Sequence, residues 1–141
     1  MEREKTKKLI SFLSKQNDIF IQKFSDLGFG LKPFDFFVLV DGKFFAFEVK
    51  EAESGRGFQE EVFSFKQFKK HQIEALKKIN RCGGSAYGLI FFEDSENFIL
   101  LKNPWERRVS VIHLALLKKK KLFFSKETFL KFLRRTSKKP K

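Results

Sequence analysis

A chain of 141 residues, 42% of them hydrophobic, is long enough for one packed core and too short for two ordinary domains. Its formal charge of +13 points to a polyanionic partner, because a basic surface attracts phosphate backbones and releases their counterions. A single cysteine, Cys82, excludes an internal disulfide and a thiolate zinc site, and no apolar run is long enough for a signal segment or a bilayer span, so a cytoplasmic protein is expected.

In chain order, Arg3 to Lys15 sets Leu9, Ile10, Phe12 and Leu13 among lysines at spacings of three and four, which predicts an amphipathic helix ended by Asn17-Asp18. Ile19 to Phe24 reads as a short strand. Phe34 to Val40 and Lys43 to Lys50 are two strand-like runs joined by Asp41-Gly42, a favoured pair for a type I′ hairpin turn. Residues 51–64 lack periodicity and read as a loop. Phe68, Ile73, Leu76 and Ile79 then recur near helical spacing until Gly83-Gly84. Ala86 to Phe92 and Asn97 to Leu101 form a strand pair across a polar turn. Val109 to Leu117 is ambiguous between strand and helix, Glu127 to Arg135 predicts a basic helix, and residues 136–141 are expected to be a disordered basic tail after one domain spanning residues 1–135.

The hairpin fixes a register. With Asp41 and Gly42 as the turn, Val40 opposes Lys43, Leu39 opposes Phe44, and Asp35 lies opposite Glu48. Side chains alternate along a strand, so Asp35 shares a face with Phe37 and Leu39, and Glu48 shares it with Phe44, Ala46 and Lys50. Two opposed carboxylates, with Cβ atoms roughly 5 Å apart, repel unless something positive lies between them. A divalent cation answers this, and an all-oxygen donor set favours Mg²⁺, with Mn²⁺ as a substitute. Lys50, two residues on, is placed to hold a water or neutralise charge. The alternative is a surface hairpin in which Lys50 merely pairs with Glu48; against it, Phe45, Phe47 and Val49 make the other face apolar throughout, as in a buried strand.

Pro33-Phe34-Asp35, a hairpin and Glu48-Val49-Lys50 resemble the motif of the PD-(D/E)XK nucleases, and the run from Phe63 to Leu76, with His71-Gln72 at a helix start, resembles the RecU-type Holliday-junction resolvases. Together with Gly83 to Ile90, the similarity covers roughly residues 5–101. It implies an α/β fold with a restriction-endonuclease-like core, a mixed β-sheet flanked by helices, and Mg²⁺-dependent cleavage of phosphodiester bonds. By the same resemblance Asp35, Glu48, Lys50 and Gln72 are assigned catalytic roles, with Asp35, Glu48 and Val49 at the metal. Two departures accompany it. Related nucleases often place a Glu on the first helix, where this chain has Thr6, leaving Glu4 or Glu2 as a substitute acid; and the projecting stalk of RecU-type enzymes has no counterpart before Asp35.

The basic excess sits at the C-terminal end: residues 106–141 hold 13 of the 30 basic and 2 of the 17 acidic side chains. Lys118, Lys119, Lys120, Lys121, Arg134 and Arg135 are therefore candidates for phosphate contacts, with Ser54 and Arg56 in the loop that follows Lys50. The reading is a structure-selective DNA endonuclease, a Holliday-junction resolvase acting as a homodimer on four-way junctions. The alternatives are a restriction or repair endonuclease on the same fold, or a basic DNA-binding module without catalysis.

Overall fold

The computed structural model describes residues 2–24, 32–51, 53–54, 61–64, 68–92, 96–102, 111–113 and 123–138. In chain order the elements are α1 (Glu2–Ser14), β1 (Ile19–Lys23), β2 (Phe36–Val40), β3 (Lys43–Glu51), β4 (Glu53–Ser54), β5 (Glu61–Ser64), α2 (Lys70–Arg81), β6 (Ser85–Phe91), β7 (Phe98–Lys102), β8 (Val111–His113), β9 (Phe123–Phe124) and α3 (Lys126–Lys138). Local chemistry sets several boundaries. Asp41 and Gly42 take φ of 50° and 78°, the left-handed pair that a type I′ turn needs, and the hairpin closes in the expected register from Val40↔Lys43 to Phe36↔Phe47. At the end of α2, Gly83 has φ of 100°; its N–H donates to the Asn80 carbonyl and that of Gly84 to the Ile79 carbonyl, a Schellman ending. A Cβ on Gly84 would come within 2.8 Å of the Ile79 side chain, so the second glycine is demanded by close packing.

Six strands form the main sheet in the order β1-β2-β3-β6-β7-β9, antiparallel except for the central β3–β6 pair, which α2 connects as a crossover. Apolar layers cover both faces. On one, Phe36, Val38, Phe45, Phe47 and Val49 pack with Leu9 and Leu13 of α1 and Phe129, Leu130 and Leu133 of α3. On the other, Ala46, Ala86, Ile90 and Ile99 pack with Phe68 and with Leu76 of α2. Phenylalanine fills the first layer: Phe129 meets Phe47 and Phe98 edge-on at 5.3 and 5.1 Å, a favoured geometry for paired rings.

Two expectations need correction, and one ambiguity is resolved. The stretch 51–64 is not simply a loop: β3 continues through Glu51, and β4 and β5 join β8 in a separate three-stranded sheet. Its register, Val62↔His113 to Ser64↔Val111, links residues some fifty positions apart, so local periodicity carried no trace of it. The same pairing resolves Val111 to His113 as strand. Residues 136–138 belong to α3 and not to a disordered tail; Ser137 is buried and donates to the Arg134 carbonyl, closing the last turn. Residues 139–141 lie outside the described residues.

Candidate active site

β2 begins at Phe36, one residue later than a regular ladder through Asp35 requires. The Asp35 N–H donates to the Phe47 carbonyl at 3.0 Å, and the Asp35 carbonyl accepts from Phe24 N–H at 2.9 Å, so its backbone is held between β1 and β3. The side chain then reaches across the end of the hairpin. Oδ2 accepts the Val49 N–H at 2.7 Å and Oδ1 pairs with Lys32 Nζ at 2.6 Å. The expected opposition of Asp35 to Glu48 thus becomes a contact at the frayed end of the ladder, not a regular strand pair.

Glu48 is only 2% exposed on the α2 side of β3. Burial pushes its carboxyl up to about 8 from the usual 4.5; the negative Asp35 adds to the rise, and the Lys50 ammonium opposes it. Oε2 pairs with Lys50 Nζ at 3.1 Å, while Oε1 is buried without a hydrogen-bond partner. Lys50 is boxed from the other side: its Nζ donates to Gln72 Oε1 at 3.3 Å and lies 5.7 Å from the centre of the Phe68 ring. Gln72, itself buried, has a second duty, because Oε1 also accepts the Lys69 N–H at 3.0 Å and so satisfies a free donor at the start of α2. Asp35, Glu48, Lys50 and Gln72 are therefore brought together, two from the hairpin strand β3, one from its partner's approach and one from the helix that covers them.

The donor chemistry fits a hard divalent cation. Two acids meet in a buried corner, and one oxygen, Glu48 Oε1, has no hydrogen-bond partner, so its lone pairs could serve a cation. Two carboxylates are a number that suits Mg²⁺, which keeps several waters; among the described residues no group of three or more His, Cys, Asp or Glu side chains is gathered in one place. Val49 has no donor in its side chain, which is buried in the α1–α3 layer; only its backbone carbonyl could serve. Glu4 is exposed and pairs with Lys7 at 3.8 Å on the same helix face, whereas Thr6 is buried. The first helix instead meets the end of β3 through Lys5, whose Nζ lies 3.7 Å from Glu51 and donates to the Phe92 carbonyl.

Two site residues escaped the sequence reading. Lys32 sits three positions before Asp35 with a proline between, a spacing that only the turn converts into a contact. Phe68 read as one more apolar helix position, yet it precedes the helix and lies against Lys50. Of the expected DNA contacts, Arg56 and Lys118, Lys119, Lys120 and Lys121 lie outside the described residues, as does the side chain of Ser54. Arg134 is engaged elsewhere: its guanidinium grips both oxygens of Asp18 at 2.8 and 2.9 Å and reaches Gln16 Oε1 at 3.3 Å, tying α3 to the turn before β1. Arg135 is the exposed neighbour.

A hairpin carrying two acids and a lysine, crossed over to a parallel strand by the helix that supplies a glutamine, defines the restriction-endonuclease-like nuclease fold. The model of the family Recombination protein U (RecU) matches residues 31–134, and the chain belongs to that family. It is 33% identical over 97 residues to the Holliday junction resolvase RecU of Mycoplasmopsis pulmonis (strain UAB CTIP), an alignment covering 69% of this chain and 54% of that protein. This chain therefore spans about half the length of the curated relative. In architecture it is similar to Hjc, a Holliday junction resolvase of Archaeoglobus fulgidus, with a TM-score of 0.54 at 16% identity over 81% of this chain and 89% of that one.

Proposed function

We propose that the chain is a Mg²⁺-dependent DNA endonuclease, with Mn²⁺ as a working substitute, that resolves Holliday junctions by hydrolysing phosphodiester bonds. The observation that carries the reading is the meeting of Asp35 and Glu48 with Lys50 held beside them. Membership of the RecU family and the name of the Mycoplasmopsis relative support the choice of substrate.

Asp35 and Glu48 would hold the cation, with the Val49 carbonyl beside them. When bound, Mg²⁺ supplies an acidified water as nucleophile and offsets charge on the phosphate oxygens. The remaining work falls to the chain's own groups. Glu48, pushed up to about 8, holds a proton at neutral pH in the metal-free chain and gives it up when a cation is loaded. Lys50 presents a donor to a phosphate oxygen or to the attacking water, and Gln72 Oε1 and the Phe68 ring hold its ammonium in place. Gln72 is in turn fixed by the Lys69 N–H, so the start of α2 orients the lysine.

Phosphate contacts over a longer stretch of DNA are assigned to Ser54, Arg56, Lys118, Lys119, Lys120, Lys121 and Arg135, with Arg134 contributing only once released from Asp18. A homodimer suits the two equivalent strands of a four-way junction. Phe20 and Leu39, 56% and 41% exposed, are cross-strand neighbours on β1 and β2 at the open edge of the sheet and offer an apolar patch for it. Such an enzyme would work in the cytoplasm; no helix among the described residues is long and apolar enough to cross a membrane.

The test is cleavage of synthetic four-way junction, duplex and single-stranded DNA with Mg²⁺ by wild type, Asp35→Ala and Glu48→Ala. Symmetric nicks at the junction, lost in both variants, are expected. Cutting of all three substrates would remove the junction preference and leave the nuclease. Salt-sensitive binding without cutting would replace the enzyme by a DNA-binding module.

A further inference from the structure

From the geometry at Asp35 we infer that Lys32 is a tethered counter-ion that occupies the cation site of the metal-free protein and must leave Asp35 before a divalent metal can enter, so that it sets the metal affinity of the site. This rests on the metal-dependent reading above.

The corner holds two acids and two ammonium groups: Lys32 on Asp35 Oδ1 at 2.6 Å and Lys50 on Glu48 Oε2 at 3.1 Å. Each acid of the metal-free corner therefore already faces an ammonium group from the chain itself. A divalent cation binding both acids would meet two ammonium groups at contact distance, and one of them has to withdraw. Lys50 is the less able to do so. Its side chain is 13% exposed and is enclosed by Glu48, Gln72 and Phe68. Lys32 lies outside any helix or strand, with its side chain 25% exposed, towards the rim of the site.

The backbone around Lys32 explains why the ammonium reaches Asp35 at all. Pro33 fixes its own φ and restricts Lys32 to extended conformations, while Asp35 is anchored by backbone bonds to Phe47 and Phe24. Both ends of a four-residue segment are thereby set, and the lysine delivers its charge to Oδ1. Oδ2 accepts the Val49 N–H and Oδ1 faces the lysine, so a cation that approaches Oδ1 competes with Lys32 for it. Once displaced, the long flexible stem carries the ammonium outward, where it remains beside any bound phosphate. Lys32 is thus a positioning residue for the metal ligand Asp35, favouring the empty state and exchanging one held cation for another.

The experiment is a titration of Mn²⁺ into the full chain without DNA at fixed pH and ionic strength, with free Mn²⁺ followed by electron paramagnetic resonance. Wild type is compared with Lys32→Gln, Lys32→Met, Lys32→Arg and Asp35→Ala, and thermal melts verify that each is folded. Loss of a charge-assisted bond to the ligand should tighten Mn²⁺ binding roughly tenfold in the Gln and Met variants. Arginine, which keeps the charge, should bind like wild type, and Asp35→Ala should lose the site. Tighter binding in Gln or Met with wild-type affinity in Arg supports the inference; so does binding by those variants where wild type shows none. Equal or weaker binding in both neutral variants overturns it while leaving the metal site standing, and weakening in Arg and the neutral variants alike marks Lys32 as merely structural. Absence of Mn²⁺ binding in every protein would overturn both the inference and the metal-dependent reading.

Discussion

The two faces of β3 are made from one strand and behave as opposites. Phe45, Phe47 and Val49 point into the layer formed with α1 and α3, where apolar side chains pack and the rings interlock. Ala46, Glu48 and Lys50 point towards α2, where apolar packing gives way after one residue to a buried acid and a boxed ammonium. The first face gains free energy by excluding water. The second gives some back, since desolvating Glu48 is compensated only in part by Lys50. A strand with one fully apolar face is rigid enough to keep a charged corner on the other. Stability and chemistry are thus divided between alternate residues, and each substitution below should move one without the other.

The largest effect on stability is expected on the apolar face. Phe47→Ala removes a fully buried ring that meets Phe36, Phe129 and Tyr87, and should cost about 3–5 kcal/mol in urea unfolding at saturating salt with or without Mg²⁺. Next comes the opposite face. Glu48→Gln keeps the shape and removes the buried charge, so junction cleavage should fall by about 10²–10³-fold while metal-free stability at pH 8 stays level or rises, read by nicking assays and urea melts on the same preparation. A parallel loss of stability would show that Glu48 belongs to the packing.

A smaller effect follows from the same acid. Its carboxyl titrates near 4.5 in the unfolded chain and near 8 in the folded metal-free one, so below 4.5 both states hold the proton and above 8 neither does. Between those limits the folded state binds more protons, and stability should fall as pH rises, at most by about 1.4 kcal/mol per pH unit from this group. Urea midpoints of wild type minus those of Glu48→Gln isolate the slope, and a flat difference from pH 5 to 8 would mean that the corner is wetter than its burial implies. The smallest change is expected for Gln72→Ala, which frees the Lys69 N–H and one support of Lys50: about 1 kcal/mol of stability and roughly tenfold in cleavage rate, with Mn²⁺ affinity little altered. A drop in metal affinity as large as that of Asp35→Ala would make Gln72 a ligand and not a support.

Much of this division was legible in the chain. Asp41-Gly42 set the turn, the turn set the register, and the alternation of side chains then separated Phe45, Phe47 and Val49 from Ala46, Glu48 and Lys50, as observed. The helix ending at Gly83-Gly84 followed from the same local chemistry. What failed was non-local: β4 and β5 owe their strand conformation to pairing that runs to β8, and a stretch without periodicity showed no sign of it. Arg134 is the instructive case among the candidate contacts, since its composition suggested a phosphate and its position gave it Asp18.

By itself the sequence determined the elements whose causes lie within a few residues: a hairpin with a fixed register, a capped helix, a chain too basic to be indifferent to polyanions, and two acids and a lysine at one end of one strand pair. Tertiary structure decided everything that depends on which surface meets which. It turned Asp35 onto the Val49 N–H, brought Gln72 and Phe68 around Lys50, and set Lys32 against Asp35. The physical reason is that backbone geometry is dictated locally by sterics and hydrogen bonding, whereas the charge state and partner of a buried side chain depend on the dielectric and donors around it, which exist only once distant segments have packed together.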